Sequence, residues 1–176
     1  LRNQESATRT QGNTTTHSVL PMTEPMTLRL ILSIANALDL ELDHLDIKTA
    51  YLNAELPEKE RFYCSPPAGF KVPAGYGLFV TKGLYGAHQS GAAWSTTFRG
   101  FMKERAPQFK EAGNERCVYI MRVKADGTPV DLDIERGISL EEGEKLVIIV
   151  MNTDDMLIAY TKNAKSFVDD FERILN

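Results

Sequence analysis

The feature that most constrains this chain is a pair of apolar, β-branched runs at 145–151 and 156–160, separated by Asn152, Thr153, Asp154 and Asp155. Two such runs around a short polar turn predict a β-hairpin. A lone hairpin cannot bury its apolar side chains, so the rest of the chain must supply further strands and covering helices. Leu28, Ile31, Leu32, Ala35 and Leu38 recur at helical spacing behind Thr23-Glu24-Pro25, a capping residue, an acid and an early proline. That pattern predicts a helix over 24–39. Residues 43–48 alternate polar and apolar, which predicts a short half-buried strand. A loop punctuated by Pro57, Pro66, Pro67, Gly69, Pro73, Gly75 and Gly77 follows, with short strands expected near 61–64 and 78–82.

Further along, Ser90 stands where it can cap a helix over 91–105 with Trp94, Phe98, Phe101 and Met102 as its apolar stripe. Residues 117–123 predict another strand. Asn163 is placed to cap a last helix bearing Phe167, Val168, Phe171, Ile174 and Leu175 on one face. The order helix, strand, helix, strand, hairpin, helix predicts an α+β domain. Its expected form is a small, largely antiparallel sheet with helices on one face.

A chain of 176 residues, 43% hydrophobic and 25% charged, has enough apolar material for one core and too much for intrinsic disorder. Its longest apolar run, 146–151, is far short of the roughly 20 residues a membrane helix requires. Cys64 and Cys117 lie far apart with no clustered partners. They read as two buried thiols in a reduced intracellular compartment or organelle, not as a disulfide framework or zinc site. The chain begins with Leu1 in place of Met, as a processed product or a fragment does. Residues 1–16 offer little to bury and are expected to form an extended tail, ordered only where a partner holds it. Residues 17–176 form the expected domain. The net charge of −4 argues against a simple nucleic-acid binder, but it is unevenly spread. Segment 126–144 carries −6, leaving +2 for the rest.

Adjacent acids at a hairpin tip have a chemical consequence. A tight turn breaks the strict alternation of a strand, so Asp154 and Asp155 can share one edge. If the strand holding Asp46 pairs beside the hairpin, its carboxylate comes within about one strand spacing, roughly 5 Å. Three carboxylates that close repel unless a divalent cation such as Mg²⁺ neutralises them. The bland alternative is a solvated turn and an edge charge.

The surrounding residues resemble a known family. Leu45-Asp46-Ile47-Lys48-Thr49-Ala50-Tyr51-Leu52-Asn53 is similar to the Leu-Asp-Val-Lys-Thr-Ala-Phe-Leu-Asn signature of copia-type retrotransposon reverse transcriptases. Pro66-Pro67-Ala68-Gly69-Phe70, Leu84-Tyr85-Gly86-Ala87-His88-Gln89 leading to Trp94, and Cys117-Val118-Tyr119 resemble further blocks of that family, in the same order. Asn152-Thr153-Asp154-Asp155 stands where the family carries Tyr-Val-Asp-Asp.

The resemblance implies a polymerase palm. Asp46, Asp154 and Asp155 become the catalytic, metal-ligating acids for Mg²⁺ or Mn²⁺, with the Ile47 carbonyl beside the metal. Tyr51 takes the place of the aromatic gate against the ribose 2′-hydroxyl. Tyr85 to Gln89 line the template and nucleotide side, and an RNA or DNA template-primer is the implied partner. For Tyr51 and Trp94 the alternative is plain core packing, preferred for Trp94.

Departures from the family shape the expectation of function. Asn152 and Thr153 replace packing residues at the hairpin, and His88, Gly91 and Ala92 replace family residues that include two cations. No fingers-like strand with triphosphate-binding cations precedes residue 17, and no thumb, connection or RNase H region follows the last helix. Residues 125–144 read as an acidic insertion. The isolated chain is therefore expected to be a palm-like domain without polymerase activity of its own. The alternative is a domesticated, inactive structural or interaction subunit of a larger protein assembly.

Overall fold

A computed structural model describes residues 22–113, 115–130 and 139–175. The expected tail at 1–16 and much of the acidic insertion lie outside these residues. In chain order the elements are α1 (Pro25–Ala37), β1 (Glu41–Asp46), β2 (Phe62–Cys64), β3 (Leu78–Val80), α2 (Ser90–Arg105), β4 (Lys110–Ala112), β5 (Glu115–Val123), β6 (Lys145–Asn152), β7 (Asp155–Tyr160) and α3 (Lys165–Leu175). Short 3₁₀ turns occupy Ala50–Asn53, Glu58–Glu60 and Lys162–Ala164. The main sheet has five strands in the order β1-β7-β6-β5-β4, every pair antiparallel, and β2 pairs with β3 in a separate ribbon. The α+β class expected from the element order is the class observed.

Strand β6 explains why helices occupy both faces of this sheet. Its side chains are buried from Leu146 to Met151 without interruption, so neither face meets water. Val147, Ile149 and Met151 join Trp94, Phe98 and Met102 of α2 and Val168 and Phe171 of α3 in the larger core. Leu146, Ile148 and Val150 point the other way and pack with Ile31 and Ala35 of α1. Helices on one face therefore describes α2 and α3 only, while α1 takes the opposite face. The sequence order carries no information about which face a helix covers.

Local details differ from expectation for identifiable reasons. Of the stripe on α1, Ile31 and Ala35 are buried, whereas Leu28 and Leu32 are exposed. Thr23 does not cap α1; its hydroxyl donates to the Met151 carbonyl at 2.8 Å and ties the helix entrance to the hairpin. Ser90 lies inside the first turn of α2, with its hydroxyl donating to the Leu84 carbonyl and accepting from the Leu84 amide, both at 2.8 Å. Asn163 sits in a 3₁₀ turn, and its amide donates to the Gly143 and Glu144 carbonyls instead of capping α3. Cys117 is buried and Cys64 half-buried, both as free thiols.

The described flanks of the acidic insertion fold back onto β5. The Val130 amide donates to the Arg122 carbonyl at 2.9 Å, and Val123 bridges Pro129. Arg122 donates to Glu144 Oε2 at 2.6 Å and to the Ser139 carbonyl at 2.6 Å, and Glu144 is buried. Burial alone would raise the Glu144 carboxyl. Hydrogen bonds from Arg122 and the Glu141 amide outweigh it and hold the group below its ordinary range.

Phe98 is 1% exposed among Trp94, Phe101 and Tyr119, so Phe98→Ala should cost about 3–5 kcal/mol, read as a lower urea midpoint at unchanged slope. Because the Glu144 carboxyl is depressed, its stabilisation is present above the unfolded value and fades as pH falls through the folded one. Arg122→Met strands a buried carboxylate. It should cost about 3–5 kcal/mol at neutral pH, with the loss shrinking on acidification, in urea titrations across pH.

Candidate active site

The antiparallel register brings the acids at the hairpin and on β1 to one end of the sheet. Asp46 stands directly opposite Asp155 across the β1–β7 pair, and Asn152 faces Asp155 across the hairpin. Such cross-strand partners have Cβ atoms about 5 Å apart. Just beyond β1, the Ile47 amide donates to the Asp154 carbonyl at 2.8 Å, so the chain that carries Asp46 is tied to the turn itself. At the far end of the pair, Tyr160 donates to Asp43 Oδ2 at 3.0 Å and Lys165 bridges Asp43 and Asp169.

The turn is held from behind. Thr153 has φ +61, a left-handed conformation that glycine adopts more readily than a β-branched residue. Trp94, from the first turns of α2, donates its indole N–H to the Thr153 carbonyl at 2.9 Å. Trp94 is thus core, as preferred from sequence, and also a brace for the turn.

The carboxylates themselves meet different partners. Tyr85 donates its hydroxyl to Asp154 Oδ2 at 2.5 Å, while Asp154 Oδ1 is buried with no hydrogen-bond partner among the described residues. His44 Nε2 lies 3.2 Å from Asp155 Oδ1 in an exposed contact. His44 was missed in the sequence reading. Its signal was the alternation of β1, which puts residues 44 and 46 on the same face. Among the described residues, no group of three or more His, Cys, Asp or Glu side chains is gathered closely enough to hold a metal ion. The strand ends converge, yet one oxygen each of Asp154 and Asp155 is taken up by a protein partner.

The remaining sequence-predicted residues surround this point unevenly. The Tyr51 ring lies 4.8 Å from that of Tyr85. The close approach behind them requires Gly83, where an added Cβ would sit 2.5 Å from the Tyr51 carbonyl oxygen. Ile47 packs partly buried against the larger core. Gln89 is turned away, donating to the Glu60 carbonyl at 3.1 Å. Beside edge strand β1 an open groove of about 520 Å³ is lined by His44, Asp46, Lys48, Asn53 and Glu172, among others.

The antiparallel sheet thus carries acids at the end of an edge strand and at the neighbouring hairpin. The family model described as "Reverse transcriptase (RNA-dependent DNA polymerase)" matches residues 8–132. The matched segment includes Asp46, Tyr51, Tyr85 and Gln89 and stops before Asp154. Over 140 residues the chain is 31% identical to the "Retrovirus-related Pol polyprotein from transposon TNT 1-94" of Nicotiana tabacum, covering 78% of this chain. It spans only 9% of that polyprotein's length. No solved structure matches the chain. The chain belongs to the reverse transcriptase family, in its copia-like branch.

The Tyr85–Asp154 contact makes a measurable prediction. Donation to Asp154, then burial, push the Tyr85 phenol up from 10.0 to about 12. The folded state therefore favours the neutral phenol. That stabilisation is complete below pH 10 and is lost as pH rises toward 12. In Asp154→Asn, the Tyr85 ring resonance followed by NMR should titrate closer to the ordinary value, because the paired negative charge is gone. An unmoved titration would break the assignment of cause.

Proposed function

We infer that this chain is the palm of a copia-like RNA-directed DNA polymerase, with a metal site at Asp46, Asp154 and Asp155 and no polymerase activity as an isolated chain. The observation that carries the metal site is the buried, partnerless Asp154 Oδ1 beside the opposed pair Asp46 and Asp155. An orphan carboxylate oxygen next to like charges calls for a cation, and an all-oxygen donor set suits Mg²⁺ or Mn²⁺. Bound there, a pair of such ions supplies Lewis acidity toward a primer hydroxyl and charge neutralisation toward a pyrophosphate leaving group.

The chain's own residues have separable tasks in this reading. Asp46, Asp154 and Asp155 would hold the ions, with the Ile47 carbonyl as the neighbouring backbone acceptor. Tyr51 would stand on the sugar side beside Tyr85, whose hydroxyl holds Asp154 Oδ2, whereas Gln89, bonded to the Glu60 carbonyl, would have to turn to meet a template-primer. The inactive reading is supported by the engagement of Asp154 by Tyr85 and Asp155 by His44, and by the fact that no three such side chains are gathered for an ion among the described residues.

A second reading has an observation of its own. The tilted rings of Tyr63 and Phe79 lie 4.7 Å apart on the β2–β3 ribbon, 74% and 51% exposed, and Met26 and Leu30 are exposed on α1. Apolar surface of this kind fits a recruited, inactive subunit that docks protein partners in a larger assembly. No helix among the described residues is long and apolar enough to cross a membrane, so neither reading draws on a membrane helix.

Calorimetric titration with MnCl₂ and primer extension on poly(rA)–oligo(dT) test the proposal together. Expected are weak Mn²⁺ binding that Asp154→Asn abolishes, tighter binding in Tyr85→Phe, and no extension. Template-dependent extension by the isolated chain would overturn the inactivity. Absence of Mn²⁺ binding in both the unmodified chain and Tyr85→Phe would remove the metal site. Retention of fixed protein partners after Asp46→Ala would favour the second reading.

A further inference from the structure

The two-stranded ribbon holds aromatic rings away from the core. Phe62 and Val80, opposed across β2 and β3, pack against the larger core. Tyr63 and Phe79, the next opposed pair, fall on the other face by strand alternation and are exposed. The chain between the strands repeats the arrangement twice. Pro67-Ala68-Gly69-Phe70 and Pro73-Ala74-Gly75-Tyr76 are near-identical segments six residues apart. In each, the amide of the aromatic residue donates to the proline carbonyl at 3.1 Å. The glycine takes a positive φ, +88 at Gly69 and +84 at Gly75, as the third place of such a turn requires. Each turn ends on an exposed ring, Phe70 at 57% and Tyr76 at 50%.

The charge of this segment decides what the four rings face. Residues 61–82 contain Arg61, Lys71 and Lys82 and no acid, in a chain whose net charge is −4. Lys71 and Lys82 are exposed, and neither ammonium has an ion-pair partner among the described residues. Glu55 stands across an isolated bridge from Lys82 without pairing with it. An apolar protein surface would cover the rings and leave these cations desolvated and unpaired, which is costly. A polyanion with flat apolar faces uses both features, because its bases stack on rings while its phosphates meet ammonium groups.

We propose that the β2–β3 ribbon and its connecting turns bind single-stranded nucleic acid. Unpaired bases stack on Tyr63, Phe79, Phe70 and Tyr76, and phosphates pair with Lys71 and Lys82. Stacking reads the face of a base and the lysines read the phosphate, so RNA and DNA strands are one occupant for this surface. A duplex, whose bases are already stacked on one another, is not. The proposal needs neither ions at the hairpin acids nor polymerase activity. It assigns to a nucleic acid the ribbon that the second reading gives to a protein.

Fluorescence anisotropy with labelled oligo(U) and oligo(dT) tests it, with a DNA duplex of the same length as control and EDTA throughout. Saturable binding of both single strands at low salt is expected, with the duplex bound far more weakly. Tyr63→Ala combined with Phe79→Ala should weaken strand binding about fivefold or more, and so should Phe70→Ala combined with Tyr76→Ala. All four rings are exposed, so each variant should keep the Tm of the unmodified chain, and lost affinity then reports lost contact. Lys71→Gln combined with Lys82→Gln should flatten the slope of log K against log salt by roughly 1.4, the share of two phosphates on a single strand. No saturation with either strand, equal binding of the duplex, unchanged affinity in both aromatic variants, or an unchanged salt slope in the lysine variant would each overturn the proposal. So would a co-purifying protein released by Tyr63→Ala with Phe79→Ala while strand affinity holds, which would give the ribbon to a protein partner. EDTA keeps ions off the acids, so failure here and failure of Mn²⁺ binding are separate results.

Discussion

The register of β1 against β7 is the constraint on which the candidate site depends. Side chains alternate along a strand, so a one-residue slip of β1 would carry Asp46 to the opposite face from Asp155. The pairing is pinned at both ends. Ile47 is bonded to Asp154 at the turn, and Asp43 is held by Tyr160 and Lys165 beside α3. β7 in turn lies between β1 and β6, and β6, apolar and buried on both faces from Leu146 to Met151, leaves little freedom to shift. The core thus fixes the position of charged groups at its rim.

That position is energetically uncomfortable, and the surroundings show how the chain copes. Opposed carboxylates repel, and directly paired like charges weaken a sheet. Tyr85 and His44 each take one oxygen of the hairpin acids, and Trp94 secures the carbonyl of the left-handed Thr153. Asp154 Oδ1 is still left buried and unpaired. The sequence differences at the hairpin bear on the same place. Asn152 is exposed at the end of β6, and Thr153 accepts an unfavourable backbone conformation that the Trp94 bond helps to hold.

The acidic insertion shows a different balance of the same forces. Its −6 charge looks incompatible with a packed sheet, yet Glu144 is buried because Arg122 and the Glu141 amide satisfy it. Anchoring this flank at the base of β6 keeps the central strand in place, while the other flank turns back along β5. Charge in that segment is therefore partly structural.

Much of the fold was legible because its signals are local. Helical spacing marked α1, α2 and α3, and the hairpin announced itself through two apolar runs around Asn152–Asp155. The family blocks placed Asp46, Tyr51, Tyr85 and the hairpin acids in one protein class. Legible too was the nearness of Asp46 to the hairpin, since it required only that the two strands be neighbours. What stayed hidden was every feature set by contact between distant segments. The placement of α1 on the opposite face, the diversion of Ser90 to Leu84 and of Asn163 to the β6 loop, and the turning of Gln89 toward Glu60 all depend on partners that local pattern does not name. The same is true of Tyr85 and His44 on the acids. Periodicity and composition determine which faces must be buried; only the assembled sheet decides which polar atom meets which, because hydrogen bonds are directional and hydrophobic burial is not.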